Sequence, residues 1–290
     1  MRTTNKAQRT RNKERLTKII ERAWMRNARW ILLAAVLTGC ASKQSVENHE
    51  VLQAGYQSLN RQDYNGAITS SSQFLRDNPN GGPGTAEALY LQGRVYEDRA
   101  TKSDAAGREK EARAELQDAR STYEHALTLK PSPKVVALLQ AGVANVAYFQ
   151  EDYLTAMREW AMAYPGISQP EARAWILYRI GVCQQRLGRF SEADRSFMDV
   201  RQQYPRSAPA ERASKHQGAR AFYIQVGSYS DAKNADAATA SLRSQGFAAE
   251  KVIEPAGRQA IRVGPAFNYD QAKALRARLV GAYPGAAIEP

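Results

Sequence analysis

Gly55, Ala67 and Pro79 are spaced by twelve and twelve residues, and the same spacing recurs far along the chain at Gly181, Ala193 and Pro205. Small residues at a helix crossing let two helices approach closely, and proline cannot continue a helix. In both sets an aromatic stands three residues before the alanine, Tyr64 and Phe190, and each is expected to fill the gap beside the crossing. A second set keeps Ala119, Tyr123, Ala126 and Pro131, but Gly93 lies 26 residues before Ala119, so fourteen residues are inserted. The inserted stretch, residues 98–112, is charged and helix-prone, and two lengthened helices turning near Gly107 accommodate it better than a loop. A third set carries Ala144, Tyr153, Ala156, Trp160 and Ala163, with Pro165 arriving three residues early. Four degenerate units over residues 48–216 are predicted. Such units bury their apolar faces only against neighbours, so they stack into an all-α helical repeat array.

This pattern resembles the tetratricopeptide family, whose units place small residues at these offsets and close on proline. The resemblance implies a scaffold whose groove engages a protein partner, without identifying that partner. The glycine-rich run Asn78 to Gly84 lacks the Gly-Lys-Ser/Thr ending of a phosphate-binding loop and reads as a turn between units.

The formal net charge is +12, and +8 of it lies in residues 1–29, which hold ten Lys or Arg and two acids. The remainder is only mildly basic, which removes the nucleic-acid partner that the whole-chain charge would suggest. Arg26 and Arg29 precede an apolar run, Trp30 to Leu37, too short to span a membrane and laid out as an export signal. Leu37-Thr38-Gly39-Cys40 resembles the lipobox of bacterial lipoproteins. That resemblance makes residues 1–39 a signal peptide, with Met25 as an alternative start, and Cys40 the lipidated first residue of a short linker over residues 40–47. Ala41 after the cysteine implies sorting to the inner leaflet of the outer membrane, facing the periplasm. With Cys40 acylated, Cys183 has no disulfide partner, and its apolar helical setting reads as a buried small hydrophobe.

After a junction at residues 217–220 the pattern changes. Phe222 to Tyr229 alternates like a strand, Asp231 to Gln245 is helical, Ala248 to Ile253 and Gln259 to Val263 are strand-like, Tyr269 to Val280 is helical, and Ala286 to Glu289 forms a last strand. The order βαββαβ predicts a small α+β domain over residues 221–290: a four-stranded antiparallel sheet with two helices on one face and the other face open. Phe222, Ile224 and Val226 share one side of the first strand and should pack on the helices, while Tyr223 and Gln225 share the other; Ile261 and Val263 likewise oppose Arg262.

Tyr223-Ile224-Gln225-Val226-Gly227-Ser228-Tyr229 and Ile261-Arg262-Val263-Gly264-Pro265 resemble the first and third strands of the SPOR family, with Ala235, Leu242, Gly246, Phe247, Ala272 and Leu275 at its helix and turn positions. The resemblance implies binding of peptidoglycan glycan strands that have lost their stem peptides, and with it a division-septum address. It assigns glycan contact to Gln225 and Ser228, and the strand pattern adds Tyr223 and Arg262. Ser228 breaks the alternation, so a bend at the strand end is expected to bring it to the open face. The aromatic that the family often places near the last strand is replaced here by Tyr283-Pro284-Gly285-Ala286.

The three histidines, His49, His125 and His216, have no ligand spacing, and signal, repeats and sheet domain leave no room for a catalytic domain. No enzyme, metal or cofactor is expected. The same sheet architecture binds single-stranded RNA in another family, but the export signal and the lack of that family's aromatic strand motif exclude nucleic acid. Two readings stand at this point: an adaptor for which glycan binding is the main event, and an assembly or coupling factor that uses the SPOR domain for localisation only.

Overall fold

A computed structural model describes residues 43–82, 84–254 and 257–290. The export signal, the lipobox and Cys40 lie outside the described residues. The described chain divides into two compact units, one ending at Ile176 and one running from Leu177 to Pro290. Among the described residues, no helix is long and apolar enough to cross a membrane.

The first unit is built from helices that pack in sequential pairs: α1 (Lys43–Asn60) with α2 (Tyr64–Asp77), α3 (Thr85–Ala105) with α4 (Glu109–Thr128), and α5 (Pro133–Phe149) with α6 (Tyr153–Ala163). Short polar residues start two of them. Asp63 and Asp152 accept the backbone N–H of Gly66 (2.9 Å) and Thr155 (3.1 Å), satisfying donors that a helix N-terminus leaves unpaired. The fourteen extra residues lengthen α3 and α4, which turn at Gly107 and are tied by the Arg99–Glu115 ion pair at 2.8 Å. Pro165 lies in a single 3-10 turn, Tyr164–Gly166, directly after α6.

The small residues do what their spacing predicts. Ala67, Ala119, Ala126, Ala144 and Ala156 are fully buried. The Tyr123 ring is held between two glycines: a Cβ at Gly93 would lie 2.3 Å from it, and one at Gly142 2.6 Å. Its hydroxyl donates to Glu97 at 2.9 Å, and Asn145 Nδ2 donates to the other oxygen of Glu97 at 2.9 Å, so this buried carboxylate joins three helices. A buried charge is tolerable only when it is paired and hydrogen-bonded in this way.

The second unit contains the end of α7 (Pro170–Arg186), α8 (Phe190–Gln203), α9 (Ala208–His216) and a four-stranded sheet with two helices: β1 (Phe222–Tyr229), α10 (Ala232–Ser244), β2 (Ala249–Ile253), β3 (Gln259–Ala266), α11 (Tyr269–Leu279) and β4 (Ala287–Glu289). The strands are all antiparallel, in the order β2-β3-β1-β4. This is the predicted βαββαβ domain. Phe222, Ile224, Val226, Ile261 and Val263 are buried with Ala235, Leu242, Ala272 and Leu279, as a half-buried sheet covered by helices requires.

Two features depart from the sequence reading. Phe190, expected to fill a helix crossing, packs instead in the core of the sheet domain, its ring 5.6 Å from that of Phe222. The crossing beside Gly181 is filled by Phe197, whose ring would lie 2.6 Å from a Cβ at position 181. Asp194 on α8 holds the junction after α9, accepting from Gly218 N at 2.7 Å and from Arg220 Nη1 at 2.6 Å. Gly188, between α7 and α8, has a φ of +79°, and a Cβ there would meet the carbonyl oxygen of Phe267 at 2.5 Å. Helices α8 and α9 are therefore built into the same compact unit as the sheet.

Cys183 is fully buried, and burial pushes its thiol pKa up to about 12, so it is inert as a nucleophile.

Candidate functional site

Both helices of the sheet domain cover one face, which leaves the other to carry the site. Tyr223 and Gln225 point away from the buried Phe222, Ile224 and Val226, and Gln225 lies opposite Arg262 across the β1–β3 pair. Ser228 reaches this face through a β-bulge: the pairing steps from Gln225↔Arg262 to Gly227↔Ile261, so one extra residue on β1 reverses the alternation. Tyr223 lies over Gly264, where a Cβ would come within 2.8 Å of its ring. The structure thus brings Tyr223, Gln225, Ser228 and Arg262 together on one face.

It also adds three groups that the sequence reading missed. Glu254, at the end of the β2 strand, accepts from Ser228 Oγ at 2.5 Å. Arg258 donates Nε to Ser228 Oγ at 2.9 Å and Nη2 to the Ser228 carbonyl at 2.5 Å. Glu289 on β4 lies opposite Tyr223 and pairs with Arg262 Nη2 at 3.3 Å. Of these only Glu289 had a visible signal, since it falls in the predicted last strand. Glu254 and Arg258 belong to the β2–β3 connection, whose path no periodicity specifies.

The Gln225 amide stands between the two carboxylates. One of its polar atoms is 2.9 Å from both oxygens of Glu289, and the other is 3.3 Å from Glu254 Oε1. An amide offers donors at one end and an acceptor at the other, so Nε2 cannot serve both sides. The shorter, two-oxygen contact takes Nε2 toward Glu289. The carboxylates differ electrostatically as well. Hydrogen bonding from Ser228 holds the Glu254 pKa below its ordinary value, with Arg258 and Arg262 acting in the same direction. Burial raises that of Glu289, against the opposing pull of Arg262 and with the Glu254 charge adding to the rise.

The face therefore offers acceptors, guanidinium donors and one flat ring within a few strands. Hydroxyl-rich, amide-bearing ligands match this set. Among the described residues, no group of three or more His, Cys, Asp or Glu is placed to hold a metal ion.

Residues 218–288 match the family model described as SPOR domain, and residues 176–207 match the one described as tetratricopeptide repeat. A search of curated proteins gave no match. Among solved structures the chain is similar to MamA protein, at 16% identity and a TM-score of 0.43, over 59% of this chain and 79% of that one. It is also similar to a tetratricopeptide repeat protein from Parabacteroides merdae, at 17% identity and a TM-score of 0.43 over 59% of each chain. A thermophilic tetratricopeptide protein from Thermus thermophilus is similar at 18% identity and a TM-score of 0.35, over 58% of this chain and 98% of that one. Both matched families are binding modules rather than catalytic ones: the chain carries a tetratricopeptide-repeat region followed by a C-terminal SPOR domain.

Proposed function

We propose that this protein is a lipid-anchored adaptor that holds peptide-free peptidoglycan glycan strands on the open face of its SPOR domain and engages an envelope or cell-division protein through its helical repeats. The observation that carries the reading is the convergence of Tyr223, Gln225, Ser228 and Arg262 on the uncovered face of a domain whose family generally binds peptidoglycan. A glycan without peptides presents hydroxyls, acetamido groups and flat apolar sugar faces, which Gln225, Ser228, Arg262 and Tyr223 meet in kind. Anchoring at Cys40 would hold the chain on the inner leaflet of the outer membrane, facing the periplasm, with enrichment at the septum wherever such strands accumulate.

The full chain should sediment with amidase-treated sacculi and much less with untreated ones. Gln225→Ala should weaken that binding by about 0.5 to 1.5 kcal/mol per net hydrogen bond lost, with the circular dichroism spectrum unchanged. A folded wild-type protein that stays in the supernatant would sink the reading. The full chain is the right object for this test, because Phe190 belongs to the core of the sheet domain and a fragment cut after α9 would lose it.

The anchor has its own test. An alkyne fatty acid should label the wild-type protein in its native host and leave Cys40→Ala unlabelled, since the Cys40 sulfur is the attachment point for the diacylglycerol whose two chains give stable anchoring. Unlabelled, fully soluble wild-type protein would exclude it.

A further inference from the structure

The Gln225 amide is caught between two carboxylates, and only one of them can take its N–H. With Nε2 on Glu289, the amide oxygen stands 3.3 Å from Glu254 Oε1, two acceptors side by side with no donor between them. Such a pair is unfavourable until a donor bridges it, and Ser228 is already committed to the other oxygen of Glu254. We infer that Glu289 is a positioning residue of the glycan site: by holding Nε2 of Gln225 it turns the amide oxygen toward Glu254, and the resulting acceptor pair takes a sugar O–H or acetamido N–H. This deepens the glycan-binding reading and rests on it.

The arrangement has a built-in alternative. A protonated Glu289 donates to the amide oxygen, the amide turns over, and Nε2 bonds Glu254 at the 3.3 Å contact. The acceptor pair is then satisfied from within and the sugar donor loses its place. The charged groups that face Glu289 are Arg262 on β3 and Glu254 beyond β2, with Arg258 next to Glu254 through Ser228; β1 contributes only Tyr223 and Gln225. Burial raises the pKa of Glu289, against Arg262 and the Gln225 N–H, which favour its charged form, while the Ser228 hydroxyl holds that of Glu254 low.

The test is the pH dependence of sedimentation of the full chain with amidase-treated sacculi, from neutral into the ordinary carboxylate range. Wild-type binding should weaken by about tenfold as Glu289 protonates, the effect of losing one hydrogen bond to a charged acceptor pair. Glu289→Gln can still accept Nε2 through its side-chain oxygen but cannot take a proton. Whatever its affinity at neutral pH, its binding should change by less than about twofold over the same range. The ionisable groups of the glycan titrate equally in both experiments, so the difference between the profiles belongs to Glu289. Glu289→Ala, checked for folding by circular dichroism, should bind weakly at every pH. If Glu289→Gln keeps the wild-type profile, or folded Glu289→Ala binds like wild type, the positioning role is wrong while glycan binding stands. If wild type fails to bind at any pH, the glycan reading falls and takes this role with it.

Discussion

Replacing Tyr123 by Ala should cost the helical repeats about 3 to 5 kcal/mol, the range for truncating a fully buried aromatic side chain. The ring is completely inaccessible, wedged between Gly93 and Gly142, and it lies 5.9 Å from the ring of Tyr90. Glycines at both contacts mean that no side chain from either position can swing in to fill the space, so the cavity stays open. The truncation also removes the hydroxyl that donates to the buried Glu97. Tyr123→Phe separates the two contributions. It keeps the ring and loses one hydrogen bond to a charged group, which should cost about 1.5 to 3 kcal/mol. Tryptophan fluorescence during urea unfolding is the suitable readout, because Trp160 is buried in the same unit and residues 177–290 contain no tryptophan. Equal midpoints for wild type and Tyr123→Ala would mean that the ring does not hold α3, α4 and α5 together.

Acid should destabilise the second unit well before its carboxylates titrate fully, through His216. Its ring is packed 5.7 Å from Tyr178 and 5.6 Å from Phe197. Gln185 donates Nε2 to the His216 carbonyl at 3.1 Å, which leaves its Oε1 to accept from His216 Nδ1 at 2.9 Å. The neutral ring then uses Nε2 to accept from the Tyr178 hydroxyl at 3.2 Å. Burial, with Arg186 and Arg212 nearby, lowers the His216 pKa to about 4 from an ordinary 6.5. A folded state that resists protonation gives the unfolded chain the advantage in proton uptake. Stability is therefore full above pH 6.5, is lost progressively as the pH falls from 6.5 to about 4, and changes no further from this group below that. The loss should reach about 3 kcal/mol, taking 1.36 kcal/mol per pH unit of displacement. Proton NMR of the His216 ring, followed from pH 8 to 4, should show it still neutral near pH 5. If His216 titrates near 6.5, the burial argument fails.

The repeat region and the domain order of this protein were legible in the chain alone, because helices and strands that bury one face impose a period on the sequence. The twelve-residue steps placed Ala67, Ala119, Ala144 and Ala193 in buried crossings, and the two-residue period of β1 sorted Ile224 and Val226 from Tyr223 and Gln225. Long-range partners leave no such trace. Nothing in the spacing around Phe190 says that it faces a strand instead of a neighbouring helix, since either contact needs only an apolar residue on an amphipathic helix. The same holds at the binding face. Gln225, Ser228 and Arg262 were found from strand pattern and family resemblance. Glu254 and Arg258 reach them through a connection with no periodicity, and Glu289 through the short edge strand β4. The identity of the groups on the sheet was thus local information carried by the sequence; which carboxylate holds which donor is decided by strand order and by one bulge in β1, and those exist only once the sheet has formed.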